Sequence, residues 1–479
     1  MSLLPLLVLT AAAFVAGLAL LVAAGAPIAA GSRPGRRAVR ALRDAMSLAP
    51  AAIVVGLVAL HALLLAYDAV GVPWRRRTLA AGMAALFVAA AAAAWRSTRR
   101  RASAAGRAFP ALRLPLGWGD LVALAAVAIY AGAAFTRRIG IPDFVYHWGL
   151  KAKRYALAGG IDWAWLADPL RFTDHPDYPN LLPGLYAATA HVLGTFDEGG
   201  LLLWSAVFFA LMVSFARQAL ALLPGRFAPQ AAVATLALAV GMFGIGYDMA
   251  GGADWLVALA LLAAAPVLLR APGDGEGRAG HQHLQVGAAA ALAAGAKIEG
   301  VPLAAVLVTV HLLRVAAPAG PAAGAATGRP AAGPRLGRLL RAAPWVLVPP
   351  ALGVGPWLAG NLRHGLFQST NTGTWDADRL GAVAAGLVTT FGTAEWHGLP
   401  WLLLLLPVLV AVRRTRALAA VLALQLVLYV GIYLTAPVDT RFYVLSSFPR
   451  LAFHLLPPLL VALAVLLVPP RDGGAAEAS

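Results

Sequence analysis

The chain has 479 residues, of which 60% are hydrophobic and only 12% are charged. In soluble domains roughly a quarter of all residues are charged. This composition therefore excludes a soluble globular protein and indicates an integral membrane protein. The chain has no cysteine, which excludes a disulfide framework and a thiolate metal site. The formal net charge of +17 is therefore interpreted first as a signal of membrane topology and not of nucleic-acid binding.

The spanning elements are predicted to be helices, because apolar runs long enough to cross roughly 30 Å of hydrocarbon recur along the whole chain. Barrel strands would be shorter and would alternate apolar and polar residues. We therefore predict an all-α polytopic membrane protein with about thirteen transmembrane helices and with juxtamembrane helices on its outer face. The predicted spans are 3–25, 48–68, 79–95, 119–136, 199–222, 229–246, 254–270, 284–296, 301–316, 343–360, 398–412, 417–436 and 452–469.

Arginine-rich breaks between these runs predict the orientation of the chain in the membrane. By the positive-inside rule, the breaks that carry most of the arginines are cytoplasmic. They are 32–44, 96–113, 217–226, 270–283, 314–341, 413–416 and the C-terminal tail. The loop 137–198 then lies outside. The basic segment Trp74–Arg77 also falls outside in this scheme, either because it is a headgroup-level anchor or because the first two spans are misassigned.

A polar stretch from Pro142 to Pro179 interrupts the apolar sequence and holds most of the candidate chemistry. The whole chain has only three lysines, and two of them, Lys151 and Lys153, lie in this stretch. Since nearly every other cation is arginine, this placement favours a site that needs a compact ammonium group. Chance placement is the alternative.

Five segments of the sequence are similar to motifs of the GT-C glycosyltransferases. They are IPDFVYHWGLKAKRYALAGG, HPDYPNLLPGLYAATAHVLG, AGGADWLVALALLAAA, LAAGAKIEGVPLA and VLSSFPRLAFHLLPPLL. The first two resemble the first extracytoplasmic loop, the third an acidic patch that opens a later helix pair, the fourth a lysine-containing helix break and the last a Ser-x-x-Arg segment. The resemblance covers residues 119 to 469 in the expected order. It is nearest to the bacterial branch with lipopolysaccharide-core and aminoarabinose transferases and more remote to protein O-mannosyltransferases.

This resemblance implies an inverting glycosyltransferase that moves a sugar from a polyprenyl-phosphate carrier to a hydroxyl acceptor. The implied location is the bacterial cytoplasmic (inner) membrane, with the active site facing outward. The implied partners are the lipid-linked sugar and a lipid, glycan or protein acceptor, and no nucleic acid. N-terminal helices over 1–118 are extra to the family pattern, the catalytic domain is expected over 119–470 with its outer loop at 137–198, and 471–479 is expected to form a cytoplasmic tail.

Asp143 is the expected catalytic base, because transfer to a hydroxyl requires a group that takes the acceptor proton. Its alternative role is to cap the helix that follows it. Many family members carry two adjacent acids at this point, whereas Phe144 follows Asp143 in this chain. The expected mechanism therefore uses no metal and no other cofactor, with a divalent cation as the alternative.

Three cations of the outer loop are expected to bind the phosphate of the donor. Lys151, Lys153 and Arg154 lie on a predicted interfacial helix over 144–158, where they can reach a lipid phosphate in the headgroup plane. The alternative is that they snorkel to membrane phosphates without specificity.

Lys297 and Arg450 are two further candidates for binding the donor phosphate. Lys297 lies in a helix break two residues before Glu299, so an ion pair that locks the break is the alternative. Arg450 opens the last span, where an anchoring role is equally compatible with the sequence.

The acceptor side of the pocket is predicted from several polar residues next to prolines and glycines. They are His175, Asp177, Tyr178, Asp254 and Glu299. His175 and Asp177 alone would give a metal two ligands, too few for a structural site, and a purely architectural turn is the alternative. His61 lies in an apolar run and is interpreted as a core histidine.

A transporter or flippase for a lipid-linked or anionic solute is the alternative function, in which the same cations only bind phosphate. Transporters place charged groups near the middle of the membrane and carry repeat symmetry between their halves. The enzyme is favoured because the polar residues of this chain gather at one predicted face and no internal repeat is evident. A polymerase or ligase of the O-antigen type ranks lower, because the loop at 361–397 is only moderately long.

Overall fold

The computed structural model of the protein describes residues 3–26, 34–102, 116–136, 142–168, 175–270, 280–317, 335–366, 373–435 and 439–468. Throughout these residues the regular secondary structure is helical, and no strand is present. The prediction of an all-α protein is therefore confirmed. The tail at 471–479 lies outside the described residues.

The first half of the chain forms ten α-helices and one π-helical turn. They are α1 (Leu4–Ala23), α2 (Pro34–Ala69), α3 (Arg76–Ala102), α4 (Trp118–Thr136), the π-helical turn Phe144–Trp148, α5 (Gly149–Ala158), α6 (Trp163–Leu166), α7 (Leu181–Leu193), α8 (Glu198–Leu220), α9 (Phe227–Gly246) and α10 (Asp254–Leu268). The π-helical turn continues directly into α5, close to the helix predicted over 144–158.

The second half of the chain is formed by seven α-helices and three short 3₁₀ helices. They are α11 (Gly280–Ala296), α12 (Gly300–Ala316), α13 (Arg335–His364), the 3₁₀ helices Ala377–Arg379, Ala394–Trp396 and Leu399–Leu405, α14 (Leu380–Phe391), α15 (Leu406–Ala411), α16 (Arg416–Thr435) and α17 (Thr440–Leu467).

Nine helices in the described part of the chain are long and apolar enough to cross a membrane, as expected of a multi-pass membrane protein. They are α1, α2 from Asp44 onward, α3 as far as Thr98, α4, α8, α9, α13, α16 and α17. Four shorter apolar helical segments are Leu181–Leu193, Asp254–Leu268, Gly300–Ala316 and Leu399–Ala411. The number of about thirteen spans stays a prediction.

Two short helices are largely enclosed by the rest of the protein. Every residue of α10 is buried, so this predicted span is a central helix enclosed by α8, α11 and α17. Helix α7 was not predicted as an element, because its 13 residues are too few to cross a bilayer. The protein buries this helix from Leu181 to Ala190, so its apolar residues are removed from solvent without a membrane span.

The N-terminal helices are packed onto the rest of the protein and also hold the segment before α6. A glycine allows the close approach of α1 and α2, because a Cβ on Gly56 would lie 1.9 Å from the Ala13 carbonyl oxygen. Helix α2 continues against α11 and α13, where His61 Nε2 lies 2.9 Å from the Gly353 carbonyl oxygen. The division of the chain at residue 118 stays a prediction.

Asp68, near the end of α2, accepts two hydrogen bonds, one from the segment between α5 and α6 and one from the first residue of α6. Its Oδ1 accepts from the Ile161 backbone N–H at 2.9 Å, and its Oδ2 accepts from Trp163 Nε1 at 2.8 Å. The Trp163 ring in turn stacks on His364 at the end of α13, with ring centroids 5.2 Å apart. The N-terminal helices therefore fix this segment against α13.

Trp163→Phe is expected to lower the midpoint of thermal unfolding of the detergent-solubilised protein. The substitution keeps a stacking ring but removes a hydrogen bond to a carboxylate, worth about 1–3 kcal/mol. The midpoint is measured by circular dichroism. Trp375→Phe is the matched control, because Trp375 is 66% exposed, and an equal shift in both variants would contradict the role of Asp68.

Candidate functional site

Four charged residues that are far apart in the sequence meet at one place in the structure. Asp143 precedes the π-helical turn, Asp254 is the first residue of α10, and Lys297 lies in the break between α11 and α12. Arg450 reaches them from α17, where it follows Pro449. Three of the four residues thus come from helix ends or breaks, where polar groups can be presented without interrupting a packed helix.

The guanidinium of Arg450 bridges the two carboxylates. Its Nε and Nη2 donate to Asp254 Oδ2 at 3.2 and 2.6 Å. Its Nη1 donates to Asp143 Oδ1 at 3.2 Å, and its Nη2 donates to Asp143 Oδ2. The contact with Asp143 is therefore a two-pronged fork, the geometry for which arginine is suited and lysine is not.

Asp254 is the anchor of the cluster. Its second oxygen, Oδ1, accepts from Lys297 Nζ at 3.0 Å and lies 2.9 Å from His454 Nε2. With the two contacts from Arg450, four N–H donors surround a carboxylate that offers about four acceptor sites. The Asp254 side chain is 1% exposed. It is therefore saturated and enclosed, and it holds two cations in place instead of taking a proton.

A histidine and a tyrosine extend the cluster into the protein interior. His454 Nε2 faces the Asp254 carboxylate, which can only accept, so this nitrogen carries a proton. In the neutral ring Nδ1 is then an acceptor, and the hydroxyl of Tyr429, 2.6 Å away, donates to it. His454 and Tyr429 are both 0% exposed. The chain Tyr429 to His454 to Asp254 therefore has a defined direction of hydrogen bonding.

Exposure is greatest at the Asp143 end of the cluster and lowest at Asp254 in its middle. The side chain of Asp143 is 34% exposed and that of Arg450 is 24% exposed, whereas that of Lys297 is 9% exposed. Glu299 lies beside Lys297, with Oε1 and Nζ 3.8 Å apart, so the ion pair considered from the sequence exists together with the pair to Asp254. The Asp143 end is thus the open end of the cluster.

A glycine turn places Asp254 next to the segment that carries Asp143. Gly251 has a positive φ of 83°, and its N–H donates to Ser205 Oγ at 2.8 Å. A Cβ at this position would lie 2.7 Å from a Leu202 methyl group and 2.9 Å from Phe144 Cβ. Only glycine fits this turn without strain. The turn therefore packs directly against the residue that follows Asp143.

The side chain of Asp143 makes no cap hydrogen bond to the helical turn that follows it. The capping role considered from the sequence is therefore not what this carboxylate does. Its position is defined instead by the fork from Arg450.

The three cations of the predicted outer loop have partners within their own part of the chain. Lys151 is fully buried, and its Nζ donates to the carbonyl oxygens of His175 and Pro176 at 2.6 and 3.4 Å. Arg154 pairs with Asp162. Lys153 Nζ lies 6.0 Å from the ring centroid of Phe196. Their predicted role in binding the donor phosphate stays a prediction.

The segment with His175, Asp177 and Tyr178 lies near the cluster, because the Tyr178 hydroxyl interacts electrostatically with Glu299 and Arg450. His175 has a positive φ of 52°, and its ring stacks on Tyr178 with centroids 4.3 Å apart. The Asp177 carbonyl oxygen accepts from Asn361 Nδ2 at 2.8 Å. Burial raises the pKa of the Tyr178 hydroxyl well above its usual value, and the Glu299 carboxylate adds to the shift. The hydroxyl therefore stays protonated near neutral pH.

The described residues contain no group of three or more His, Asp or Glu side chains arranged to hold a metal ion. The predictions about cofactors are left untested by this geometry. No protein-family model, curated protein or solved structure matches the chain in sequence or structure comparisons.

Sequence analysis did not select His454 and Tyr429. A signal for His454 existed, because it follows Arg450 by four residues on α17 and therefore lies on the same helix face. Tyr429 lies within the apolar run of α16, and nothing in its spacing separates it from a core tyrosine.

Asp254→Asn is expected to destabilise the protein by about 3–5 kcal/mol, because it leaves two cations without their buried counter-ion. Asp143→Asn is the matched variant and is expected to cost far less, since its carboxylate is partly exposed and contacts only Arg450 of the cluster. Both are measured as the midpoint of denaturant or thermal unfolding in detergent. Equal destabilisation by the two substitutions would contradict the assignment of Asp254 as anchor.

Proposed function

We propose that this chain is a membrane glycosyltransferase that moves a sugar from a polyprenyl-phosphate carrier to a hydroxyl acceptor. In this proposal Asp143 is the catalytic base, and Arg450 and Lys297 bind the phosphate of the donor. The resemblance to GT-C enzymes supplies the class of donor. The structure supports the proposal through the arrangement of the charged cluster, which combines an accessible carboxylate with two held cations.

The observation that carries the proposal is the difference between the two acids bound to Arg450. Asp254 is saturated by four donors and enclosed. Asp143 contacts the same guanidinium but has 34% of its side chain exposed, so an acceptor hydroxyl can approach it. Sugar transfer needs this combination, a base for the acceptor proton and cations that stabilise the charge on the departing phosphate.

The proposed reaction is a single displacement at the anomeric carbon of the sugar. Asp143 takes the proton from the acceptor hydroxyl while that oxygen forms a bond to the anomeric carbon. The bond between the anomeric carbon and the phosphate oxygen breaks, and its electron pair stays on the phosphate. Attack from the face opposite the phosphate inverts the configuration of the sugar. The products are a glycosylated lipid, glycan or protein and polyprenyl phosphate, which we place at the outer face of the cytoplasmic membrane.

A second candidate function is transport or flipping of a lipid-linked or anionic solute. The buried chain of Tyr429, His454, Asp254 and Lys297 favours it, because ionisable residues within membrane helices are common in proton-coupled carriers. The two functions differ in their products. An enzyme breaks the bond between sugar and phosphate, whereas a transporter moves the intact molecule.

The test is incubation of the purified protein with a panel of polyprenyl-phosphate sugars and with membrane extract as a source of acceptors. We expect polyprenyl phosphate to be released, and mass spectrometry detects it. Asp143→Asn is expected to slow this release by about 100-fold or more, the usual contribution of general base catalysis. Asp376→Asn is the matched control, because Asp376 is another acid paired with an arginine, Arg379, on a different predicted outer loop. Intact donor after incubation, together with its movement across proteoliposome membranes, would support the transporter and contradict the enzyme.

A further inference from the structure

The guanidinium of Arg450 has little capacity left for a ligand. It carries five N–H groups. Asp254 uses the N–H of Nε and one on Nη2, and Asp143 uses the other on Nη2 and one on Nη1. Four of the five are thus engaged by carboxylates, and one on Nη1 remains. A phosphate held by two parallel N–H bonds therefore cannot bind Arg450 while both acids are in place.

The two acids differ in how readily they can be exchanged. Asp254 is held by Lys297 and His454 as well as by Arg450, and its side chain is 1% exposed. Asp143 has no cap hydrogen bond to its own helical turn, and it occupies the Nη1 and Nη2 edge of the guanidinium, at the more exposed end of the cluster. The edge that faces an incoming ligand is therefore the one that Asp143 covers.

We infer that Asp143 is an exchangeable counter-ion of Arg450, and that a phosphoryl head group binds by replacing it on the Nη1 and Nη2 edge. The ligand is recognised as a phosphate ester anion with an alkyl or prenyl tail, since the site lies among membrane helices. The identification of this ligand with a sugar donor rests on the proposed function. The exchange itself depends only on the contacts of Arg450.

The exchange also makes ligand binding determine whether the Asp143 carboxylate is bound to Arg450 or released from it. While Asp143 is bound to Arg450, both of its oxygens accept hydrogen bonds from the guanidinium. When phosphate takes this edge, the carboxylate is released beside the phosphate. Asp143 is then available for an acceptor hydroxyl only after the donor has bound, which orders the two events.

The test is binding of dodecyl phosphate to the full chain in lipid nanodiscs, measured by calorimetry without any sugar or acceptor. A competing carboxylate lowers the affinity of the unmodified protein, so Asp143→Asn is expected to bind dodecyl phosphate about tenfold or more tightly. Adding Arg450→Lys to Asp143→Asn is expected to remove this gain, since an ammonium cannot form the two-pronged contact. Inorganic phosphate is measured in parallel, and weaker binding than dodecyl phosphate indicates a lipid as the source.

Glu299→Gln is the control variant that distinguishes exchange at Arg450 from a general effect of removing one negative charge. It removes one negative charge from the same cluster, but its carboxylate lies 3.8 Å from Lys297 and makes no contact with Arg450 among the described interactions. Its gain in affinity is expected to be much smaller than that of Asp143→Asn. An equal gain in both variants would overturn the exchange, as would unchanged or absent binding in Asp143→Asn when its unfolding midpoint is preserved.

The outcome is independent of the proposed function. If Asp143→Asn binds dodecyl phosphate more tightly while the unmodified protein transfers no sugar, the exchange stands and the glycosyltransferase proposal fails. If sugar transfer is observed but the affinities of the two proteins are equal, the enzyme stands and the exchange is wrong.

Discussion

The arrangement of this protein depends on one buried carboxylate and the cations that compensate it. An isolated charge within a bundle of apolar helices is costly, and it is tolerated only when it is paired and fully hydrogen-bonded. Asp254 meets this condition with four donors from three residues. Because those donors come from the break after α11 and from α17, the charge of Asp254 fixes the relative position of three separate parts of the chain.

The chain segment that follows Asp143 is held by a different kind of contact. Tyr155 on α5 donates to Asn180 Oδ1 at 2.7 Å, and the backbone N–H of Trp74 donates to the Gly159 carbonyl oxygen at 2.6 Å. Together with the contacts of Asp68, these bonds join the N-terminal helices to the segment around α5 and α6. The N-terminal helices, which are extra to the family pattern, thereby support the segment that follows Asp143 in the chain.

The helical class and most of the long apolar helices could be predicted from the sequence. A helix needs about twenty apolar residues to cross a bilayer, and mean hydropathy over that length identifies such runs directly. It also selected Asp143, Asp254, Lys297 and Arg450, since charges are rare here and stand out against an apolar background. Which of them share a contact could not be derived, because pairing across as many as 307 residues depends on the packing of the helices. Lys151 shows this limit, since composition drew attention to it but packing buries it against backbone carbonyls.

The central claim is that Asp143 and Arg450 lie in contact, and the absence of cysteine from the chain allows a direct measurement. Asp143→Cys with Arg450→Cys gives a protein with a single pair of thiols, which a short bifunctional thiol reagent is expected to join rapidly, as seen by mass spectrometry. The control pair is Asp143→Cys with Arg441→Cys, because residue 441 lies nine positions earlier on α17, about 13 Å along the helix. Selective cross-linking of the first pair is the predicted result, and equal cross-linking of both pairs or none between positions 143 and 450 would contradict the account.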